Sequence, residues 1–400
     1  MRILVLQESD WIERGPHQSH HLMERLRERG HDVRVVDFEI GWRDRRRRGL
    51  FSPRTKLVAL PKIVDGSNIE VVRPAIVRLP IVDYVSASKS HASEIRRQIR
   101  EFQPDVMVGF GLLNAFSGIR LARRSQIPFV YYLIDELHRL VPERAFQGVA
   151  RLVEQANIRR ASLVLSINQA LWDYTVAMGA SPRRSKILPA GVDLDRYDAR
   201  DGAEVRRRFG IEPEALVLFF MGWVYSFSGL REVAESLVAG EGREIPTRLL
   251  VVGKGDAWNE LSRLAKENHA EDKIRLVAFQ PYRETPSYLA AADVCLLAAH
   301  DVATMRNIVP IKMYEYLAAG RSVIATKLPG LVREFGEGHG VVYVDRPEQV
   351  VGKALELARG GSLRELGQAG RAFVAKNDWE HITDVFEAWL RELQPNKFEP

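Results

Sequence analysis

Residues Asn307 to Thr326 read NIVPIKMYEYLAAGRSVIAT. Pro310 suits the first turn of a helix, where its missing N–H costs no internal bond, and Gly320 suits the left-handed residue that ends one. Between them Ile311, Tyr314, Leu317 and Ala318 recur at three- and four-residue spacing as one apolar stripe, and Ser322 to Thr326 is a short β-branched run. The stretch is a helix feeding a buried strand. Lys312 and Glu315 stand three positions apart near the edge of that stripe and are neighbours on the helix surface. On the helix alone they read as a solvated ion pair.

The same alternation extends outward in both directions. RILVLQ leads to HHLMERLRERG and then DVRVVDF, and DVMVGF, PFVYYLID and LVLSIN are each followed by a helical segment. After KILPAG comes VDLDRYDARDG, polar and without apolar periodicity, which reads as an interdomain hinge. A second series follows: LVLFFMGW, TRLLVVG, KIRLVAFQ, DVCLLAA, SVIATK and GVVYVD, with helices between and after them. Strand and helix in alternation imply parallel sheets covered on both faces, so the expected class is α/β with two doubly wound domains. In such sheets ligands bind beyond the carboxyl ends of the strands, and two domains facing each other would form a cleft there. The loop AHDVATMRN, which links a strand end to the Pro310 helix, places Glu315 near that ligand edge.

A chain of 400 residues with 46% hydrophobic and 28% charged residues can bury two cores. It opens MRILVLQESD, with acids close behind a strand-like start, and has no run of about 18 apolar residues, so neither a secretory signal nor a membrane span is expected, and a cytoplasmic location is. The single Cys295 lies in the apolar run DVCLLAA, which excludes a disulfide framework and cysteine metal sites. The net charge of +6 is unevenly spread, because RDRRRR concentrates cations at Arg43, Arg45, Arg46, Arg47 and Arg48. Followed by LFSPR, that run suits a peripheral contact with anionic lipid; no nucleic-acid module or aromatic interleaving accompanies it. There is no GxGxxG after the first strand, the GKG of Gly253-Lys254-Gly255 is a lone GxG, and no GxxxxGK[ST] occurs. These absences argue against a dinucleotide oxidoreductase and a P-loop ATPase. Asp193 and Asp195 form a DxD in the hinge with no third ligand in view, so no metal site and no cofactor are expected.

The RGP turn, ERGHDVRVVDF, LPAGVDLDRY, VVGKGDAWNEL, YLAAADVCLLAA, PIKMYEYLAAGRSVIATKLPG and the closing Trp379 segment occur in this order along nearly the whole chain. Together they resemble the family 4 glycosyltransferases of the GT-B fold, retaining enzymes that move a sugar from a nucleotide diphosphate to an acceptor. The resemblance implies two Rossmann-like domains facing a central cleft: an acceptor domain over 1–192, a nucleotide-sugar domain over 193–376, and a C-terminal helix over 377–400 that packs back on the first domain. It also implies a nucleotide diphosphate sugar as co-substrate, with a lipid-linked acceptor at a membrane face suggested by the arginine run.

The family pattern places two glutamates eight positions apart on the Pro310 helix, the first contacting the transferred sugar and the second the ribose hydroxyls. Glu315 matches the second, a carboxylate that accepts from two vicinal hydroxyls. The first position is Asn307, an amide without charge. The amides around Ile308, Val309, Ile311 and Lys312 would hold diphosphate, with Pro310 removing one of them. After the first strand of the second domain the family carries two cations that grip the leaving diphosphate; here MGWVYSFSGL puts Trp223 and Ser228 in those places. Lys312, Arg231 and Lys254 are the candidate replacements, Lys312 foremost. The resemblance further assigns Gly253 and Gly255 to close approach of the nucleotide, Phe279 and Gln280 to the base, and Gly15 with Pro16 to a partial glycine-rich turn near the phosphate. His138, near Asp135 just past a strand end, would hydrogen-bond the donor sugar. Two rival readings share these residues: a sugar-nucleotide epimerase of the same fold, and a degenerate glycosyltransferase that binds without turnover, favoured by the missing cations and by Asn307.

Overall fold

The computed structural model describes residues 1–13, 16–39, 49–79, 82–141, 143–198, 201–240, 244–302, 305–306 and 308–394. Gly15, the arginines Arg45 to Arg48 and Asn307 lie outside them, and so does the role expected of each. Contacts divide the chain into two units, Met1–Pro189 with Trp379–Pro400, and Ala190–Asp378.

The first unit is built on an eight-stranded sheet. Its strands in chain order are β1 (Arg2–Leu6), β2 (Asp32–Val36), β4 (Thr55–Ala59), β5 (Ile69–Arg73), β7 (Val106–Gly109), β8 (Phe129–Leu133), β9 (Leu163–Ser166) and β10 (Ser185–Ile187), while β3 (Phe51–Ser52) and β6 (Ile76–Val77) pair separately. The spatial order is β10-β9-β8-β7-β1-β2-β5-β4, parallel except for the antiparallel edge β4. Strands β7, β8 and β9 are buried on both faces, which is why they read as continuous apolar runs. The region from Phe51 to Val77 shows no clear alternation in sequence, yet four of the unit's strands form there.

The second unit holds a six-stranded, wholly parallel sheet: β11 (Leu216–Trp223), β12 (Thr247–Lys254), β13 (Ile274–Val277), β14 (Val294–Leu297), β15 (Ser322–Thr326) and β16 (Val341–Val344), in the order β13-β12-β11-β14-β15-β16. The chain runs outward from β11 to β13 and then returns to lay β14 against the other side of β11. That reversal is a topological switch point, and the loops after β11 and β14 flank it. One face of this sheet packs a core that draws Leu218 and Phe220 from β11, Leu249 and Val251 from β12, Leu296 from β14 and Ile324 from β15, while the alternate residues Phe219, Leu250, Cys295 and Val323 are buried on the other face.

The last described helix, Trp379–Glu392, belongs to the first unit and lies along Gln18–Glu28. Trp379 stacks on His21 with centroids 4.4 Å apart, and Arg29 pairs with Glu380 at 2.7 Å, Asp384 at 2.7 Å and Glu387 at 3.1 Å.

Candidate functional site

The helix read first from sequence runs from Ile311 to Ala318, with Pro310 as its extended N-cap and Gly320 just beyond its end at φ +65°. No side chain caps its start. The Met313 amide bonds the Pro310 carbonyl at 3.0 Å, while the amides of Ile311 and Lys312 have no partner among the described residues. Ile308, Val309 and Ile311 are half-buried at this entrance. The Tyr316 hydroxyl accepts from the Met221 amide at 3.0 Å and ties the helix to the end of β11.

Lys312 leaves this first turn toward the switch point. Its Nζ sits 4.0 Å from the Phe220 ring centroid, and a Cβ built on Gly222 would come within 2.8 Å of it. Among the described residues it has no hydrogen bond and no ion pair, so the surface pairing with Glu315 expected from their spacing is not made. Burial pulls the ammonium down from 10.5 to about 8, with Glu315 opposing the drop. Among the described residues, a cation over an aromatic face without a counter-ion and two helix amides without partners thus lie together at this turn.

Glu315 is buried at 8% exposure, not at the surface. Its carboxylate accepts from the Tyr197 hydroxyl at 3.3 Å and from Tyr282, and Arg196 stacks over the Tyr282 ring at 3.9 Å. Burial raises its pKa, and the two tyrosine hydrogen bonds hold that rise back. Tyr197 and Arg196 come from the stretch read as a polar hinge. Their role was hidden because a single buried tyrosine in a charged run has no periodicity to betray it.

The ends of β11 and β12 are locked together by their backbones. A Cβ on Gly253 would stand 1.9 Å from the Gly222 carbonyl oxygen, and one on Gly255 would stand 2.3 Å from that of Val224. Packing alone therefore requires both glycines, which sequence reasoning assigned to a nucleotide. Lys254 is opposite Trp223 in the strand register and exposed; its carbonyl accepts the Val224 amide at 2.9 Å, and its ammonium has no partner among the described residues. Arg231 is engaged at the surface by Glu235 at 2.8 Å and Glu260 at 2.7 Å, so of the three candidate cations it is the one already neutralised. Trp223 and Phe279 are 46% and 53% exposed with ring centroids 6.3 Å apart, and Tyr225 lies 6.4 Å from Trp223. Gln280 bonds the neighbouring carbonyls of Ala278 and Phe279. Ser228 is buried, its amide bonded to the Tyr225 carbonyl at 3.0 Å.

In the first unit His138 lies in a 3-10 turn after β8, Leu137–Leu140. Its Nδ1 bonds Glu154 at 2.6 Å, Tyr174 donates to the same carboxylate at 2.8 Å, and Glu154 also accepts the amides of Leu137 at 3.0 Å and His138 at 3.3 Å. The fully buried carboxylate fixes the imidazole orientation, and Nε2 is left without a partner among the described residues. Glu154 and Tyr174 went unnoticed in the sequence because they belong to helices far from His138 along the chain. Asp135, at the same strand end, is held up at about 6 by burial and then by Glu136.

Two parallel-sheet units of Rossmann type define a GT-B glycosyltransferase fold. Over 98% of this chain the fold matches all of the Anabaena HepE chain crystallised with UDP, at TM-score 0.73 and 16% identity, and 99% of a sucrose-phosphate synthase from Thermosynechococcus elongatus, at TM-score 0.76 and 16% identity. Residues 15–191 match the glycosyl transferase 4-like domain and residues 215–359 the glycosyl transferases group 1 domain. The two matches, a glycosyl transferase 4-like domain followed by a glycosyl transferases group 1 domain, place the chain among the glycosyltransferases. It is similar to D-inositol 3-phosphate glycosyltransferases from Segniliparus rotundus, at 29% identity over 64% of this chain and 56% of that one, and from Geodermatophilus obscurus, at 30% over 62% and 55%. The aligned region thus spans little more than half the length of these relatives. No described helix is long and apolar enough to cross a membrane.

Proposed function

We propose that the chain transfers a hexose-type sugar from a nucleotide diphosphate sugar to a lipid-linked or glycan acceptor, with retention of configuration and without a metal or other cofactor. The observation that carries this reading is the Lys312 ammonium beside the amides of Ile311 and Lys312, none with a partner among the described residues, at the β11/β14 switch point. One ammonium and two amides suit a diphosphate, whose charge must be balanced as it leaves. In this reading the bond from the anomeric carbon to phosphate breaks, a bond to the acceptor oxygen forms on the same face, and the acceptor proton passes to the departing phosphate. Glu315 has acceptor capacity beyond its two tyrosine bonds, and ribose hydroxyls would use it. Trp223 and Phe279 offer exposed rings near the nucleotide, and Lys254 a second cation. His138 would present Nε2 to the sugar. UDP is the first nucleotide to test, because HepE has been crystallised with UDP and with UDP-glucose.

Thermal unfolding of the purified chain against UDP, GDP, ADP and dTDP tests the reading, with Lys312→Ala and Glu315→Ala alongside. At ~100 times its dissociation constant the matching nucleotide adds about 2.7 kcal/mol. Stabilisation of the wild type by one nucleotide, reduced in both variants, supports the donor site; indifference to all four removes it. Release of nucleoside diphosphate only when acceptor is present separates transfer from the degenerate binding subunit that Trp223 and Ser228 at the expected cation positions would favour. Flotation with anionic vesicles, compared before and after replacing Arg45 to Arg48, tests the membrane-linked acceptor.

A further inference from the structure

Between the helices Leu113–Arg124 and Arg144–Arg160 of the first unit lies a cavity of about 600 Å³, lined by Arg120, Arg123, Arg124 and Arg160 with Phe116 and Asn157. None of the four guanidinium groups makes an ion pair or hydrogen bond among the described residues. Two helices end here, and their dipoles account for a cation at each end, but not for four converging on one hollow without a carboxylate. Like charges gathered this way repel one another, and guanidinium groups favour the paired oxygens of phosphate.

Asn157, at the wall, is 1% exposed and gives its amide nitrogen to the Leu112 carbonyl at 2.9 Å, which holds the end of the second helix in place. The hollow lies where the chain enters β8 and β9, at the amino ends of those strands, whereas Asp135 and His138 stand past the carboxyl end of β8.

We propose that this cavity is a second anion site, which binds a phosphate group, separate from the donor site proposed for the other unit. Two sources share that chemistry: a soluble phosphate ester and a phospholipid head group. The outer face of the helix Arg144–Arg160 makes the second source testable, because Leu152, Ala156 and Arg160 stack at four-residue spacing and Leu152 and Val149 are 66% and 61% exposed.

The test uses the full chain carrying Lys312→Ala, so that the donor site contributes little, with and without the further pair Arg123→Gln and Arg160→Gln. Sodium pyrophosphate is titrated calorimetrically into each, and each is floated at low salt with phosphatidylglycerol vesicles against phosphatidylcholine controls. Pyrophosphate binding that the arginine pair weakens at least tenfold supports the site with a soluble ligand. Flotation on phosphatidylglycerol alone, abolished by the arginine pair and by Leu152→Ser, supports it with a lipid head group. An unchanged melting midpoint without ligand shows that the exposed arginines are not needed for folding. Absence of both kinds of binding, or binding that the arginine pair leaves within twofold, overturns the proposal.

Discussion

Replacing Lys312 by Met keeps the length of the side chain and removes its charge. The folded ammonium is pulled from 10.5 to about 8, which at 1.36 kcal/mol per tenfold step corresponds to about 3 kcal/mol of cost for keeping it charged. Its folded pKa lies below its unfolded one, so the folded chain binds fewer protons between pH 8 and 10.5 and gains stability as pH rises through that window; below pH 8 the whole cost is present. Lys312→Met should therefore stabilise the ligand-free protein at pH 7 by roughly 1–3 kcal/mol, and by less than about 1 kcal/mol at pH 10. Binding should move the other way. Loss of one charged hydrogen bond weakens UDP about tenfold at pH 7, and since the wild-type lysine is mostly neutral by pH 9, the ratio of wild-type to variant affinity should approach one there. Taking the ratio cancels the ionisation of the nucleotide itself. Guanidinium unfolding and UDP titration at two pH values give both numbers. A variant less stable than wild type at pH 7, or an affinity ratio equal at pH 7 and pH 9, would refute the assignment of a stored, uncompensated charge.

Glu154→Ala strips the acceptor from two amides, His138 and Tyr174 at once, and should cost the first unit about 3 kcal/mol in denaturant unfolding; a loss under 1 kcal/mol would contradict the network. His91 stacks on Phe38 at 4.0 Å with both ring nitrogens buried and unpartnered, and burial holds its pKa at about 3. Its neutral folded form binds fewer protons than the unfolded chain between pH 3 and 6.5, so stability falls as pH drops through that range, and His91→Phe should stabilise by about 2–3 kcal/mol more at pH 4.5 than at pH 8. Equal effects at the two pH values would exclude a buried neutral imidazole. Gly255→Ala drives a Cβ against the Val224 carbonyl oxygen and should lower stability by at least about 2 kcal/mol even without nucleotide, read as a fall in the melting midpoint.

The central strands were legible because burial on both faces writes itself as β-branched and apolar runs: LVLFFMGW, VCLL and SVIAT each stand where a strand does. The edge was not. Thr55–Ala59 and Ile69–Arg73 carry charges that point outward or pair with distant residues, as Arg73 does with Asp37, so no clean pattern survives. At the site, Lys312 and Glu315 were identified by position on one helix, but their neighbours were assigned wrongly to each other. What holds Glu315 comes from Tyr197 and Tyr282, both more than thirty residues earlier in the chain, and spacing along one helix cannot report contacts made by folding. The two glycines of the GKG loop show the reverse case: they were chosen for a ligand, and the contact the structure shows for them is the neighbouring backbone of Gly222 and Val224.

The start of the Ile311–Ala318 helix, where Pro310 brings neither an N–H nor a capping side chain, gives that helix an unfinished end. Capping a helix is commonly worth about 1 kcal/mol, and here the group that supplies the cap would be the diphosphate. Secondary structure and ligand would then be completed in one event. Amide exchange should report this directly, with the first turn opening readily in the free protein and becoming protected, along with the strand to which Tyr316 ties it, once the nucleotide is bound. A nucleoside without phosphates can fill the same pocket and still leave that turn open, so the chain would distinguish a spent donor from its bare nucleoside by whether its own helix is whole.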